Sequence, residues 1–169
     1  MTRLGAALLG AATVLSACTH YNTLYNAERV YRDAERDRLA GRDSLALLRY
    51  REVVQKTSDA YRSRPDDERA AAILYLLGRA RLRAGEPRAA ALALEEALRR
   101  PSEPELRPRI LVYLAAARAR LGDPDGALAG LDQALQHGVS GEALAEARLL
   151  RGSLAPVSYT HLRAHETVL

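Results

Sequence analysis

Residues 73–100 read "ILYLLGRARLRAGEPRAAALALEEALRR", and residues 110–137 read "ILVYLAAARARLGDPDGALAGLDQALQH". Slid by 37 positions, the two stretches agree at twelve of 28 residues without a gap. An internal match of this length marks stacked supersecondary units. Leu74, Leu77 and Arg81 share one helical spacing, and Leu111, Leu114 and Arg118 copy it. Gly85 and Gly122 follow, where a helix ends in a left-handed cap. Pro87 and Pro124 then stand at a favoured first helical position. Asp123 before the second proline is a good N-cap, and Glu86 before the first is a poorer one. The next helix carries Ala90, Leu94, Ala97 and Leu98, matched by Ala127, Leu131, Ala134 and Leu135. That spacing gathers them on one face. Each copy therefore reads as two helices joined by a tight turn.

Leu74, Leu77, Gly78, Gly85, Ala90, Leu94 and Ala97, and their copies Leu111, Leu114, Ala115, Gly122, Ala127, Leu131 and Ala134, carry a resemblance to the tetratricopeptide repeat. Two departures stand out. The tyrosine usual late in the first helix is Arg81 and Arg118 here, and the 37-residue spacing exceeds the family's roughly 34. "PSEPELRP" (101–108) reads as a lengthened loop between units. The resemblance implies an all-α fold of hairpins stacked as a short right-handed α-solenoid. Repeats fall at 66–100 and 109–137 within a region spanning 66–156, with a partial unit at 140–156. A divergent hairpin is expected at 24–63: Leu24, Ala27, Tyr31 and Ala34 have helical spacing, and Ala46 and Tyr50 match Ala90 and Leu94.

Composition agrees. The chain has no Trp and no Phe, so its core rests on Leu, Ala, Val, Ile and Tyr, which suits close helix packing. Sparse β-branched residues argue against an extended sheet. The net charge of +4 is mild, almost all the cations are arginine, and they alternate with Asp and Glu. Such a pattern is a solvated helical surface, not a nucleic-acid stripe.

The ends differ from the body. Met1-Thr2-Arg3 is followed by an apolar run from Leu4 to Leu15. Twelve residues make a helix of about 18 Å, too short for a bilayer core of about 30 Å, and the pattern reads as an export signal over 1–17. Leu15-Ser16-Ala17-Cys18 resembles the lipobox of bacterial lipoproteins. That resemblance implies cleavage before Cys18, acylation of its thiol and amine, and a short linker at 18–23. Thr19 occupies the position where Asp would resemble an inner-membrane retention signal, so the implied destination is the periplasmic face of the outer membrane. At the other end, "VSYTHLRAHETVL" (157–169) resembles a translated sequencing adapter and is expected to be non-native.

No catalytic set emerges. There is no glycine-rich phosphate loop, and Cys18 is the one cysteine. His137 ends a helix, where a cation favours the dipole. Glu95 and Glu96 are helix neighbours that point apart. His161 and His165 have metal-ligand spacing but belong to the adapter-like tail. No enzyme, metal or cofactor is expected. In the repeat family the first helix of each hairpin lines a concave groove. Transferring those positions gives Tyr75, Arg79, Arg83, Arg109, Val112 and Arg120, an expected cationic groove with one aromatic wall. Guanidinium groups pair bidentately with carboxylates. The family's Lys/Asn carboxylate clamp is absent. The expected partners are envelope proteins or peptides with an acidic stretch or a free C-terminus, and the membrane through acylated Cys18, but not nucleic acid. The plan is similar to outer-membrane assembly lipoproteins, and "YNTLYNAERVYRDAER" (21–36) is similar to the opening of repeat lipoproteins linked to secretion. The alternative is the recognition arm of a truncated cell-envelope enzyme.

Overall fold

A computed structural model describes residues 23–166, with side chains through Leu154. The export signal at 1–17, Cys18, most of the 18–23 linker and the tail side chains, His161 and His165 included, lie outside the described residues. Among the described residues the chain is all-α, with seven helices and no strand. They are α1 (23–39), α2 (Asp43–Ser63), α3 (Ala70–Arg83), α4 (Pro87–Arg99), α5 (Leu106–Arg120), α6 (Pro124–Gln136) and α7 (Gly141–Glu166).

The turns follow from local chemistry. Gly85 and Gly122 take φ of 83° and 81°, a region that costs a residue with Cβ about 1–2 kcal/mol. Beyond each glycine the chain bonds back to the helix it has left. The Glu86 N–H donates to the Arg81 carbonyl at 2.9 Å, and the Asp123 N–H to the Arg118 carbonyl at 3.0 Å. These bonds satisfy carbonyls that a helix end leaves open. Pro87 and Pro124 then start α4 and α6. The Asp123 carboxylate accepts the Gly126 N–H at 2.9 Å, whereas Glu86 makes no side-chain cap.

Each helix from α2 onward packs on the next, with α4 and α5 meeting across the 101–105 loop as neighbouring units; α3 also touches α5, and α5 touches α7. Backbones of α2, α4 and α6 stay apart from one another among the described residues. Odd-numbered helices therefore crowd on one side while even-numbered helices splay on the other. The stack is a helical-repeat solenoid with its odd-numbered helices inward. Burial follows this placement. α3 and α5 are buried around most of their circumference, while α4 buries one stripe, Ala90, Ala93, Leu94 and Ala97. Tyr31, Tyr50, Val53 and Leu76 join a core between α1, α2 and α3, and a larger core runs from α3 to α7.

Close approach within a hairpin needs small residues. A Cβ on Gly78 would sit 2.5 Å from Leu94 Cγ. In the next unit Ala115 replaces that glycine, and Gly130 on α6 supplies the space.

Two boundaries differ from the sequence reading. The loop after α4 ends at 105, and Leu106 and Pro108 already belong to α5. Proline is tolerated there because the first turn of a helix has no intrahelical acceptors for its N–H groups. The backbone of α7 runs on through Glu166, across the segment set aside as adapter-like.

Candidate functional site

A groove of about 790 Å³ lies between α1, α3 and α7, with the start of α5 closing one end. Its floor is Arg79 of α3, with a side chain only 12 % exposed. Three rings surround that guanidinium: its central carbon lies 4.3 Å from the Tyr31 centroid, 4.8 Å from Tyr113 and 5.3 Å from Tyr75. Tyr75 and Tyr113 meet edge to face at 5.7 Å. A cation set against several ring faces out of water is held electrostatically by their quadrupoles. The fourth partner is Glu142 of α7, whose Oε1 accepts from Arg79 Nη2 at 2.5 Å and from the Tyr113 hydroxyl at 3.3 Å.

One turn later Arg83 repeats the arrangement. Its Nε donates to Glu35 of α1 at 3.0 Å, and its Nη2 to Glu146 of α7 at 3.2 Å. Glu35 also accepts from the Tyr50 hydroxyl at 2.6 Å and from Arg38 at 2.8 Å. Arg79 and Arg83 on α3 thus face Glu142 and Glu146 on α7 in matching four-residue steps. α3 fastens the first and last helices of the array across the groove.

Electrostatics follow from this packing. Burial pushes Tyr31, Tyr75 and Tyr113 upward, so all three phenols stay neutral. Burial opposes the charge of Arg79, but the rings and Glu142 outweigh it and the guanidinium is held ionised. Burial likewise raises Glu35, yet hydrogen bonds from Arg38 and Tyr50 and the charge of Arg83 prevail. Its carboxyl lies below the ordinary value.

Four of the six groove residues read from the sequence, Tyr75, Arg79, Arg83 and Arg109, line this cavity together. Val112 does not. It is fully buried in the core that runs from α3 to α7. Repeat equivalence pairs Val112 with Tyr75, but the ring that α5 sets against Arg79 is the next residue, Tyr113, buried beneath the groove. Arg120 also lies elsewhere. Its Nη1 donates to the Leu82 carbonyl at 2.6 Å, closing the end of α3, and it borders two shallower hollows. The lining keeps an excess of cations, but most of that charge is balanced. Six arginines share the lining with four glutamates, and Arg79 and Arg83 are spent on internal pairs. Arg109 is exposed and makes no ion pair among the described residues.

Sequence reasoning missed Tyr31, Glu35, Tyr113, Glu142 and Glu146. The Glu142/Glu146 step was visible as a match to Arg79/Arg83, but nothing local says that helices 63 positions apart meet. Leu39 and Leu149, 75 % and 74 % exposed, form apolar rims on opposite walls. Among the described residues no group of three or more His, Cys, Asp or Glu is placed to hold a metal ion. No helix among them is long and apolar enough to cross a membrane.

No protein-family model and no curated protein matches the chain.

Proposed function

We propose that this chain is a bacterial envelope lipoprotein, tethered through acylated Cys18 at the periplasmic face of the outer membrane. Its tetratricopeptide-like hairpins hold a segment of another envelope protein in the groove between α1, α3 and α7. Its work on this reading is binding, as a scaffold in outer-membrane protein assembly or secretion, without a reaction of its own. The observation that carries the reading is the make-up of the groove. The floor is fixed by the Arg79 cage, the rims are Leu39 and Leu149, and Arg109, with no ion pair among the described residues, stands at one end. A rigid aromatic floor binds without a large ordering cost. The rims suit apolar side chains of a peptide, and Arg109 suits a carboxylate. The tether half of the reading rests on the Leu15–Cys18 box and the apolar run before it.

Two measurements test it. A photo-crosslinking residue at Ala72, in the groove, is expected to capture an envelope protein in living cells, and Arg109→Glu is expected to cut that capture at least fivefold. The same probe at Leu92 on α4 is expected to capture none of it. Metabolic labelling with a fatty-acid analogue is expected to mark the protein and to vanish in Cys18→Ser. No groove-specific crosslink overturns the binding half; an unlabelled wild type overturns the anchor.

A further inference from the structure

One face of α1 carries an exposed stripe that lies outside the core and runs along the edge of the groove. Tyr25, Arg29, Arg32, Arg36 and Leu39 are all exposed. At 100° per residue they fall within an arc of about 80°, opposite the buried Ala27 and Ala34. Tyr25 and Leu39, at the two ends, are 55 % and 75 % exposed. The Arg32 and Arg36 side chains are 59 % and 76 % exposed. Arg32 lies 4.0 Å from Glu28, a loose contact; Arg36 pairs with Asp33; Arg29 makes no ion pair among the described residues. Being the first helix of the described array, α1 has no described helix on this side.

We propose that this stripe lies on the lipid surface to which the chain is tethered, so that α1 is a docking face for anionic phospholipid. The inference rests on the Cys18 anchor proposed above and adds an orientation to it. Only five Cα steps separate Cys18 from Thr23, the first described helical residue. They span at most about 18 Å, so covalent geometry keeps the start of α1 beside the headgroups. A short tether holds the neighbouring face at high effective concentration, and surface contacts too weak to bind alone then suffice. The chemistry fits the location. Tyr25 stands nearest the anchor, and tyrosine favours the boundary between headgroup and acyl chain. The three arginines can reach lipid phosphates, and their attraction to an anionic surface acts within a Debye length of about 8 Å. Leu39 gives the far end of the stripe an apolar contact. Because Arg32, Arg36 and Leu39 also border the groove, docking would set one wall of the groove against the membrane.

The chain has no Trp, so a single introduced indole reports its own surroundings. The test uses the full acylated chain in vesicles of phosphatidylethanolamine and phosphatidylglycerol containing brominated lipid, with acylation of Cys18 read by mass. Tyr25→Trp is expected to lose at least half of its fluorescence to the bromines. Leu92→Trp, on the exposed face of α4, is expected to lose less than a tenth. Adding Arg29→Gln, Arg32→Gln and Arg36→Gln to Tyr25→Trp, or replacing the anionic lipid with phosphatidylcholine, is expected to halve the quenching. These exposed positions leave the helical circular dichroism unchanged. Three results with acylated protein overturn the docking face and leave the anchor standing. They are an unquenched indole in Tyr25→Trp, equal quenching in Leu92→Trp, and an indole of Tyr25→Trp buried in a dimer. A protein without acyl mass on Cys18 overturns both.

Discussion

Arg79 of α3 and Glu142 of α7 are 63 positions apart in the chain and 2.5 Å apart in the fold. The two ends of this contact are unequal. Arg79 is almost enclosed by tyrosine rings, while the Glu142 side chain is 62 % exposed. The aromatic cage, more than the ion pair, therefore holds the cation. Arg79→Ala is expected to destabilise the protein by about 2–3 kcal/mol, from lost packing and cation–π contact. Glu142→Gln is expected to cost under about 1 kcal/mol, because the Glu142 carboxylate is itself exposed and screened by water. Urea midpoints of the two variants check the ranking, and equal losses would contradict it.

Stability is expected to fall with acid through Glu35. Its folded carboxyl lies below the ordinary value of 4.5, so the unfolded chain binds more protons in the interval between the two. The contribution is complete above the unfolded value and disappears as pH drops through the folded one. Glu35→Gln should lower stability by about 1–2 kcal/mol at pH 7, where Arg83 loses one of its two charged acceptors, and by less at pH 3. Denaturant titrations at the two pH values provide the comparison.

Gly78 and Gly152 are both helical glycines, yet alanine should act oppositely at the two. At Gly78 the new methyl would meet Leu94 Cγ at 2.5 Å, and Leu94 is fully buried with nowhere to go. Overpacking of about 1–3 kcal/mol should exceed the helix-propensity gain of about 1 kcal/mol. At Gly152 nothing lies within 4 Å, so Gly152→Ala should gain up to about 1 kcal/mol. Thermal melts of the two variants should move in opposite directions.

The two hairpin turns should respond differently to loss of the residue before proline. Asp123→Ala removes the acceptor of the Gly126 N–H and should cost about 1 kcal/mol. Glu86→Ala removes no cap and should change stability by less than about 0.5 kcal/mol. Chemical denaturation decides between them.

Val112→Ala should cost about 2 kcal/mol, the transfer of two methyl groups and a small cavity, since the side chain is fully buried. Groove capture of a partner should survive it under conditions where the variant is folded. A variant of full stability with lost capture would return Val112 to the groove.

The local part of this architecture was written openly in the chain. The left-handed turns at Gly85 and Gly122, the prolines that open α4 and α6 and the Asp123 cap depend on residues within a few positions of one another. The 3.6-residue apolar spacing then obliges each hairpin to hide a face, which makes stacking inevitable for the repeat. Pro108 marks the edge of that legibility. A proline reads as a loop residue, but a helix's first turn admits it equally well, and only the packing of Leu106 onto the core shows which applies.

The groove was legible only in part. Tyr75, Arg79, Arg83 and Arg109 follow from a spacing that faces them inward. Their partners depend on how tightly the array curves. Only the stacking of the hairpins brings Glu35 of α1 and Glu142 and Glu146 of α7 to α3, and so turns Arg79 and Arg83 from free cations into fasteners of α1 and α7. Val112 is fully buried while Tyr75 stays partly exposed, although the repeat makes the two equivalent. Periodicity assigns a residue to a face of its own helix; the stacking of distant helices alone settles what that face meets, because the contact energies belong to pairs that no local pattern contains.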